Sequence, residues 1–352
     1  MLVREAKAAA RQWVLEQGRQ TPGFVGAHFA GSVNWLADGA EFPDTSDLDV
    51  RLVLDDPGAA PRPGKLVYGG VLLEVSHVPR DTLRSPEAVL SDYHLAGGFR
   101  SRSIILDPTG ILTVLEEAVS REYAQRRWVR TRCEHAASRV RTWARSLDEA
   151  APLHDQVTLC VFAAGVTTHV LLVAGLKNPT VRRRYAAARE LLAEYGRLDF
   201  HEPLLALLGC AEMERERVTH HLGAVAAAFD AAKLALKTPY RFGSDISDAA
   251  RPIAIDGSRE LIERGLHREA VFWLAATYCR CRHIFAADAP DLLPRFDRGY
   301  RELLADLGLN SFEERCARCR EVEAFLPRVW EVAEEILAAN PEIRDCATSP
   351  RG

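Results

Sequence analysis

GSVNWLADGAEFPDTSDLDV, running from Gly31 to Val50, joins a turn of small residues to a strand that carries two aspartates. Asp47, Asp49, Arg51 and Val53 alternate with Leu48, Val50, Leu52 and Leu54. An extended strand therefore buries the aliphatic set on one face and turns both aspartates to the other. Like charges that close raise each other's pKa, and a divalent cation between them removes the repulsion. Magnesium, which prefers carboxylate and phosphate oxygens, is the natural candidate.

A third carboxylate comes from KLVYGGVLLEVSHV, residues 65–78, where two apolar runs flank Gly69-Gly70 and predict a hairpin. Leu73 and Val75 take one face of the second strand, and Leu72, Glu74 and Ser76 the other. A charge in a strand this apolar needs a partner, because stranding even a neutral polar group costs roughly 2 to 7 kcal/mol. A metal ion or a reacting hydroxyl would supply it.

Taken together, these residues show a pattern: a hydrophobic residue before Gly31-Ser32, Ser46-Asp47-Leu48-Asp49-Val50 on a strand, then a lone acid on a later strand. The pattern resembles the polymerase-beta-like nucleotidyltransferase superfamily. Within it, the nearest likeness is to the small-molecule nucleotidyltransferases of the aminoglycoside and lincosamide type, which append a helical domain. The chain has Val33-Asn34 where Arg-Gly often follows, and fourteen residues separate Ser32 from Asp47. The resemblance implies that Gly31 and Ser32 hold the triphosphate, that Asp47 and Asp49 bind two magnesium ions, and that Glu74 is a third ligand or the general base. It implies transfer of a nucleoside monophosphate, AMP from ATP in the first instance, to a small-molecule hydroxyl such as that of an antibiotic, with release of pyrophosphate. Two alternatives stay open: a protein AMPylase or antitoxin-like transferase, and a catalytically degenerate nucleotide-sensing module.

The 352 residues are long enough for two cores. The expected organisation is α+β, with a mixed-sheet catalytic domain over 1–110, an all-α acceptor-binding bundle over 111–340, and a flexible tail over 341–352. A net charge of -4, with 10 basic against 13 acidic residues in the first hundred and 35 against 36 thereafter, gives no field that would select nucleic acid. A polycationic acceptor would have to find its acid in a local pocket. The first 18 residues mix charge into a helical period and lack an apolar signal core, so a cytoplasmic protein is expected. Val157 to Leu176 carries no formal charge and meets the crude length test for a membrane span. Thr158, Thr167, Thr168 and His169 interrupt it, which favours a buried central helix and no membrane. A homodimer stays open. Eight cysteines include Cys279-x-Cys281 and Cys316-x-x-Cys319. Both pairs fall inside helical patterns, and reduced thiols are expected rather than a zinc site.

In chain order the pattern predicts a helix over 3–18, a strand over 24–30, a short helix through Trp35, and the Asp47/Asp49 strand. A Pro/Gly loop over 55–64, the hairpin, a helix over 85–94 and a strand over 103–106 follow, as a mixed sheet with helices on one side. Helices are then predicted over 111–124, 126–147, 155–175, 180–195, 201–209, 212–236, 258–286, 291–307 and 312–339.

Three groups in the helical half are candidates for substrate contact. Arg182, Arg183 and Arg184 follow the helix start Asn178-Pro179-Thr180, where an anion would relieve cations at a positive helix end. Their alternative is a solvated surface. Lys233 and Lys237 lie one turn apart before Thr238-Pro239, with the same two readings. His267 and Glu269, with Trp273 one turn later, offer an imidazole, an acid and an aromatic for an acceptor pocket. Solvated charges and a core tryptophan are the plainer account of that group. His94, His220 and His221 are taken as structural.

Overall fold

The computed structural model describes residues 1–58 and 62–345. It is an α+β protein with an N-terminal five-stranded mixed sheet followed by a largely helical region. The elements are α1 (Val3–Glu16), β1 (Phe24–Phe29), β2 (Leu48–Leu54), β3 (Gly64–Tyr68), β4 (Val71–Pro79), α2 (Pro86–Ser91), β5 (Ile104–Leu106) and α3 (Ile111–Glu122). There follow α4 (Arg126–Arg145), α5 (Leu153–Ala174), α6 (Arg184–Glu194), α7 (His201–Leu208), α8 (Arg215–Ala235), α9 (Gly257–Glu263), α10 (His267–Asp288), α11 (Leu293–Asp306) and α12 (Phe312–Ala339). The chain divides into two compact units, Met1–His135 with Val173–Pro179 and Ala333–Gly352, and Ala136–Leu172 with Thr180–Val332. The sheet-bearing unit thus runs past residue 110 to take in α3 and the start of α4.

In that unit the strand order is β3-β4-β2-β1-β5. β2 and β4 are parallel and the other pairs antiparallel. Leu48, Val50, Leu52 and Leu54 are buried with Ala27, Phe29, Leu73 and Val75 beneath Val3, Ala6, Ala10, Trp13 and Val14 of α1. Each buried valine, leucine or phenylalanine among them contributes about 1.5–3 kcal/mol by leaving water. The opposite parity carries a second cluster: Val53 and Val78 pack with Val25, Val89 and Leu90 of α2, Phe99, and Leu112, Leu115 and Val119 of α3. A register irregularity in β1 between Phe24 and Gly26 lets Val25 join it. Helices therefore cover both faces rather than one, because β2 ends in an apolar residue on each. On the second face of β2 only the segment bearing Asp47, Asp49 and Arg51 stays polar.

The described part of the expected tail is held to this unit. Arg344 N–H donates to Ala124 O and Arg126 N–H to Arg344 O, both at 2.9 Å. Residues 346–352, with Cys346, and the middle of the Pro/Gly loop, 59–61, lie outside the described residues.

The helical unit is built on two apolar rods. α5 has the composition of a span, yet 83% of its most apolar window is buried. α10 is buried without interruption from Glu269 to Cys281 and packs along α8. Gly165 of α5 allows a close approach: a methyl group there would stand 2.6 Å from the Phe272 ring of α10. The predicted 258–286 helix is two helices, separated at Gly265, whose φ of +80° suits glycine and ends α9.

Candidate active site

Register builds the site. Asp49 of β2 pairs with Glu74 of β4, and Glu74 pairs with Lys65 of β3, so the three Cα positions form one row across the sheet. Asp47 stands two residues before Asp49, at the mouth of β2. Lys65 Nζ donates to Asp47 Oδ2 at 2.6 Å and also to Glu74 Oε2. One ammonium therefore already sits where two carboxylates converge. Burial pushes the Asp47 carboxyl up, but the Lys65 charge with hydrogen bonds to Glu74 and Lys65 brings it below the ordinary carboxylate value. The Lys65 side chain is 5% exposed, against 21% for Asp47 and 37% for Glu74, so the cluster opens to solvent on its acidic side.

Gly31 is fixed by the same cluster. Its φ is +61°, and a Cβ there would fall 1.7 Å from Asp49 Oδ2. Only glycine allows the turn after β1 to lie against the Asp49 carboxylate. Ala30 N–H donates to Asp49 O at 3.0 Å and locks the two strand ends together. Ser32 is the second residue of a single 3-10 turn, Gly31–Asn34. Asn34 donates to Phe29 O at 3.0 Å and to Gly97 O at 3.4 Å, which anchors the far end of the turn.

A second row lies behind the first, where His28, Arg51 and Ser76 are register partners. Arg51 donates to His94 O at 2.9 Å. Burial lowers its pKa against the opposing charges of Asp49, Asp92 and Glu74. His28 is fully buried against Phe99, and its pKa is lowered to about 3 by burial and by the Arg51 charge. The floor of the site is thus an uncharged imidazole and a cation that faces the acids.

The residues present fit a divalent cation. Asp47 and Glu74 already share one positive charge, Asp49 is presented beside them on the same sheet face, and all three offer oxygen ligands. Lys65 is the member that residue patterning did not single out. Its signal was available in the hairpin: Gly69-Gly70 pairs Tyr68 with Val71, and counting back pairs Lys65 with Glu74.

The helical-half candidates are placed as follows. The Arg182 guanidinium packs on Gly257, and Arg183 reaches Glu190 at 3.7 Å. Arg184 is buried, its guanidinium carbon 3.7 Å from the centre of the Phe272 ring and 5.3 Å from that of Phe162. Lys233 is paired with Asp248 at 2.5 Å and Asp230 at 3.7 Å, and lines an open depression with Leu236, Gly243 and Ser247. The backbone N–H of Lys237 donates to Asp288 at 2.8 Å. His267 starts α10. Glu269 is 3% exposed, with Arg189 at 3.9 Å and His201 at 3.8 Å, and burial raises its pKa. Trp273 is 7% exposed under the Arg280 guanidinium, 4.5 Å from its ring centre. Glu269 and Trp273 are thus buried within the helical unit. The His94 ring lies tilted against Tyr93, while His220 pairs with Glu302 and His221 with Asp306.

None of the seven described cysteines is in a disulfide. Cys160 and Cys319 approach to 3.6 Å, and burial pushes the Cys133 and Cys279 thiols up to about 12 and about 11. No protein-family model and no curated protein sequence matches the chain. The functional reading therefore stands on the site's own residues.

Proposed function

We propose that the chain is a metal-dependent nucleotidyltransferase that moves a nucleoside monophosphate, AMP from ATP in the first instance, onto a small-molecule hydroxyl. The observation that carries it is the convergence of Asp47 and Glu74 on one positive charge, with Asp49 seated against the glycine turn that ends β1. Asp47 and Asp49 would hold magnesium, with Glu74 as a further ligand or as the base. Magnesium, when bound, neutralises phosphate charge and orients the triphosphate.

The remaining work falls to the chain. The turn at Gly31 and Ser32 brings backbone close to the carboxylates, where a triphosphate would lie. Glu74, the most exposed of Lys65, Asp47 and Glu74, is the member an incoming hydroxyl would meet from solvent. The acceptor oxygen attacks the α-phosphorus, the bond from that phosphorus to the bridging oxygen breaks, and pyrophosphate carries away the electron pair. The hydroxyl proton passes to Glu74 and on to water. Lys65 holds the acids in place beforehand and limits their mutual repulsion.

The test is to incubate the protein with each nucleoside triphosphate, magnesium and a panel of hydroxylated metabolites and antibiotics. Pyrophosphate and acceptor mass are followed. Nucleotidylated small molecule is the expected product. Label on a protein would move the reading to AMPylation, and tight metal-independent ATP binding without turnover would move it to a sensor.

A further inference from the structure

The first turn of α5 and the latter part of α10 bring together three side chains that the nucleotide-site reading does not use. His154 and Asp155 are the second and third residues of α5, and His283 lies on α10. One ligand atom from each falls within 4.8 Å of the others, and His154 Nε2 is 3.8 Å from Asp155 Oδ1. Among the described residues, no hydrogen bond holds either imidazole. Arg282, next in sequence to His283, is engaged elsewhere, with Asp297 at 3.1 Å and Leu293 O at 3.2 Å.

The surroundings orient the rings. Tyr240 stacks on His283 with centroids 4.1 Å apart and planes 19° apart, and the two imidazoles meet edge to face at 5.4 Å. His154 is 8% exposed, whereas the Asp155 side chain is 51% exposed. The cluster therefore has a protein-lined side and a wet side. Burial, with the charges of His283 and Arg282, lowers the His154 pKa against the pull of Asp155. An aspartate in the first turn of a helix also has a plain account, since it complements the helix dipole. That account covers Asp155 alone and leaves two histidines converging on it unexplained.

We infer that His154, Asp155 and His283 form a binding site for a divalent transition metal of the zinc class, with three protein ligands and a further position open to water. Two imidazoles and one carboxylate form a ligand set suited to zinc and its neighbours and poorly suited to magnesium. The site is thereby chemically distinct from the all-oxygen cluster at Asp47, and the inference stands apart from the nucleotidyltransferase reading. Ligand distances of about 2.0–2.2 Å put tetrahedral donors roughly 3.3–3.5 Å apart. The donors here, within 4.8 Å of one another, need to close by up to roughly 1.5 Å to reach that spacing. A metal so held would tie the start of α5 to α10 and stabilise the folded state by linkage.

The test is calorimetric titration of the full chain with zinc, beside melting curves, for wild type, His283→Gln, Asp155→Asn and Asp49→Asn. One equivalent is expected to bind wild type and Asp49→Asn alike, with affinity lowered at least tenfold and the thermal shift lost in His283→Gln and Asp155→Asn. Cobalt substitution is expected to give a visible band from nitrogen and oxygen ligands without a thiolate charge-transfer band. Should His283→Gln fail to fold, Asp155→Asn at its exposed position carries the comparison. Zinc affinity unchanged in Asp155→Asn, a thiolate band with cobalt, or no uptake by wild type would overturn the inference.

Discussion

Gly31 shows how far a single residue can be read. Its left-handed backbone and the Asp49 carboxylate leave no room for a Cβ. Gly31→Ala is therefore expected to destabilise the protein by about 1–3 kcal/mol. It should also abolish protection by magnesium and ATP in thermal melts, and an unchanged melting curve would contradict the account. Lys65 sits where a cation would compete for Asp47 and Glu74, so Lys65→Met is expected to tighten manganese or magnesium binding while lowering stability in chelator. Weaker metal binding in the variant would assign Lys65 to the nucleotide instead. His28 and His201 are buried with pKa values lowered to about 3 and about 4. The unfolded chain takes up these protons first as pH falls below about 6.5, so the stability is complete above that value and declines below it. From pH 7 to 5 each histidine accounts for roughly 2 kcal/mol. His28→Asn, which keeps a donor near Phe29 O, should flatten that slope in urea titrations at the two pH values.

At the scale of elements, period decided what could be read. Two-residue alternation put Asp47 and Asp49 on one face of β2 and Glu74 on a neighbouring strand, and helical period located α3 to α12 to within a few residues. The break at Gly265 was missed because apolar spacing runs on through it. Lys65 went unmarked because long amines commonly reach solvent, and only hairpin register exposes its place. His154 and His283 are far apart in sequence, and no local spacing marks them as neighbours. Arginines resisted reading most, since three in a row read as surface while Arg184 is buried between two phenylalanines. Arg184→Ala is expected to cost about 2–4 kcal/mol through lost packing and cation–π contact. Arg183→Ala at the surface should stay within about 0.5 kcal/mol. Chemical denaturation distinguishes them, and a raised KM for ATP in Arg183→Ala alone would restore that residue to the triphosphate site.

For the whole molecule, composition excluded more than it identified. Balanced charge argued against a nucleic-acid surface, and α5, apolar enough to span a membrane, is instead mostly buried in the fold. Under the proposed reading, an acceptor pocket built from side chains scattered through helices leaves no local signal in the sequence. Magnesium and ATP are expected to stabilise the chain jointly, by about 2.7 kcal/mol at a hundredfold excess over Kd, and ATP in chelator by far less. The most direct measurement is magnesium-dependent pyrophosphate release from ATP, across the acceptor panel, by wild type and Asp49→Asn at matched melting temperature. The account predicts release by wild type and a loss of roughly a thousandfold in the variant, because the carboxylate serves the reacting phosphate and not the core. A folded Asp49→Asn protein with full activity would contradict it.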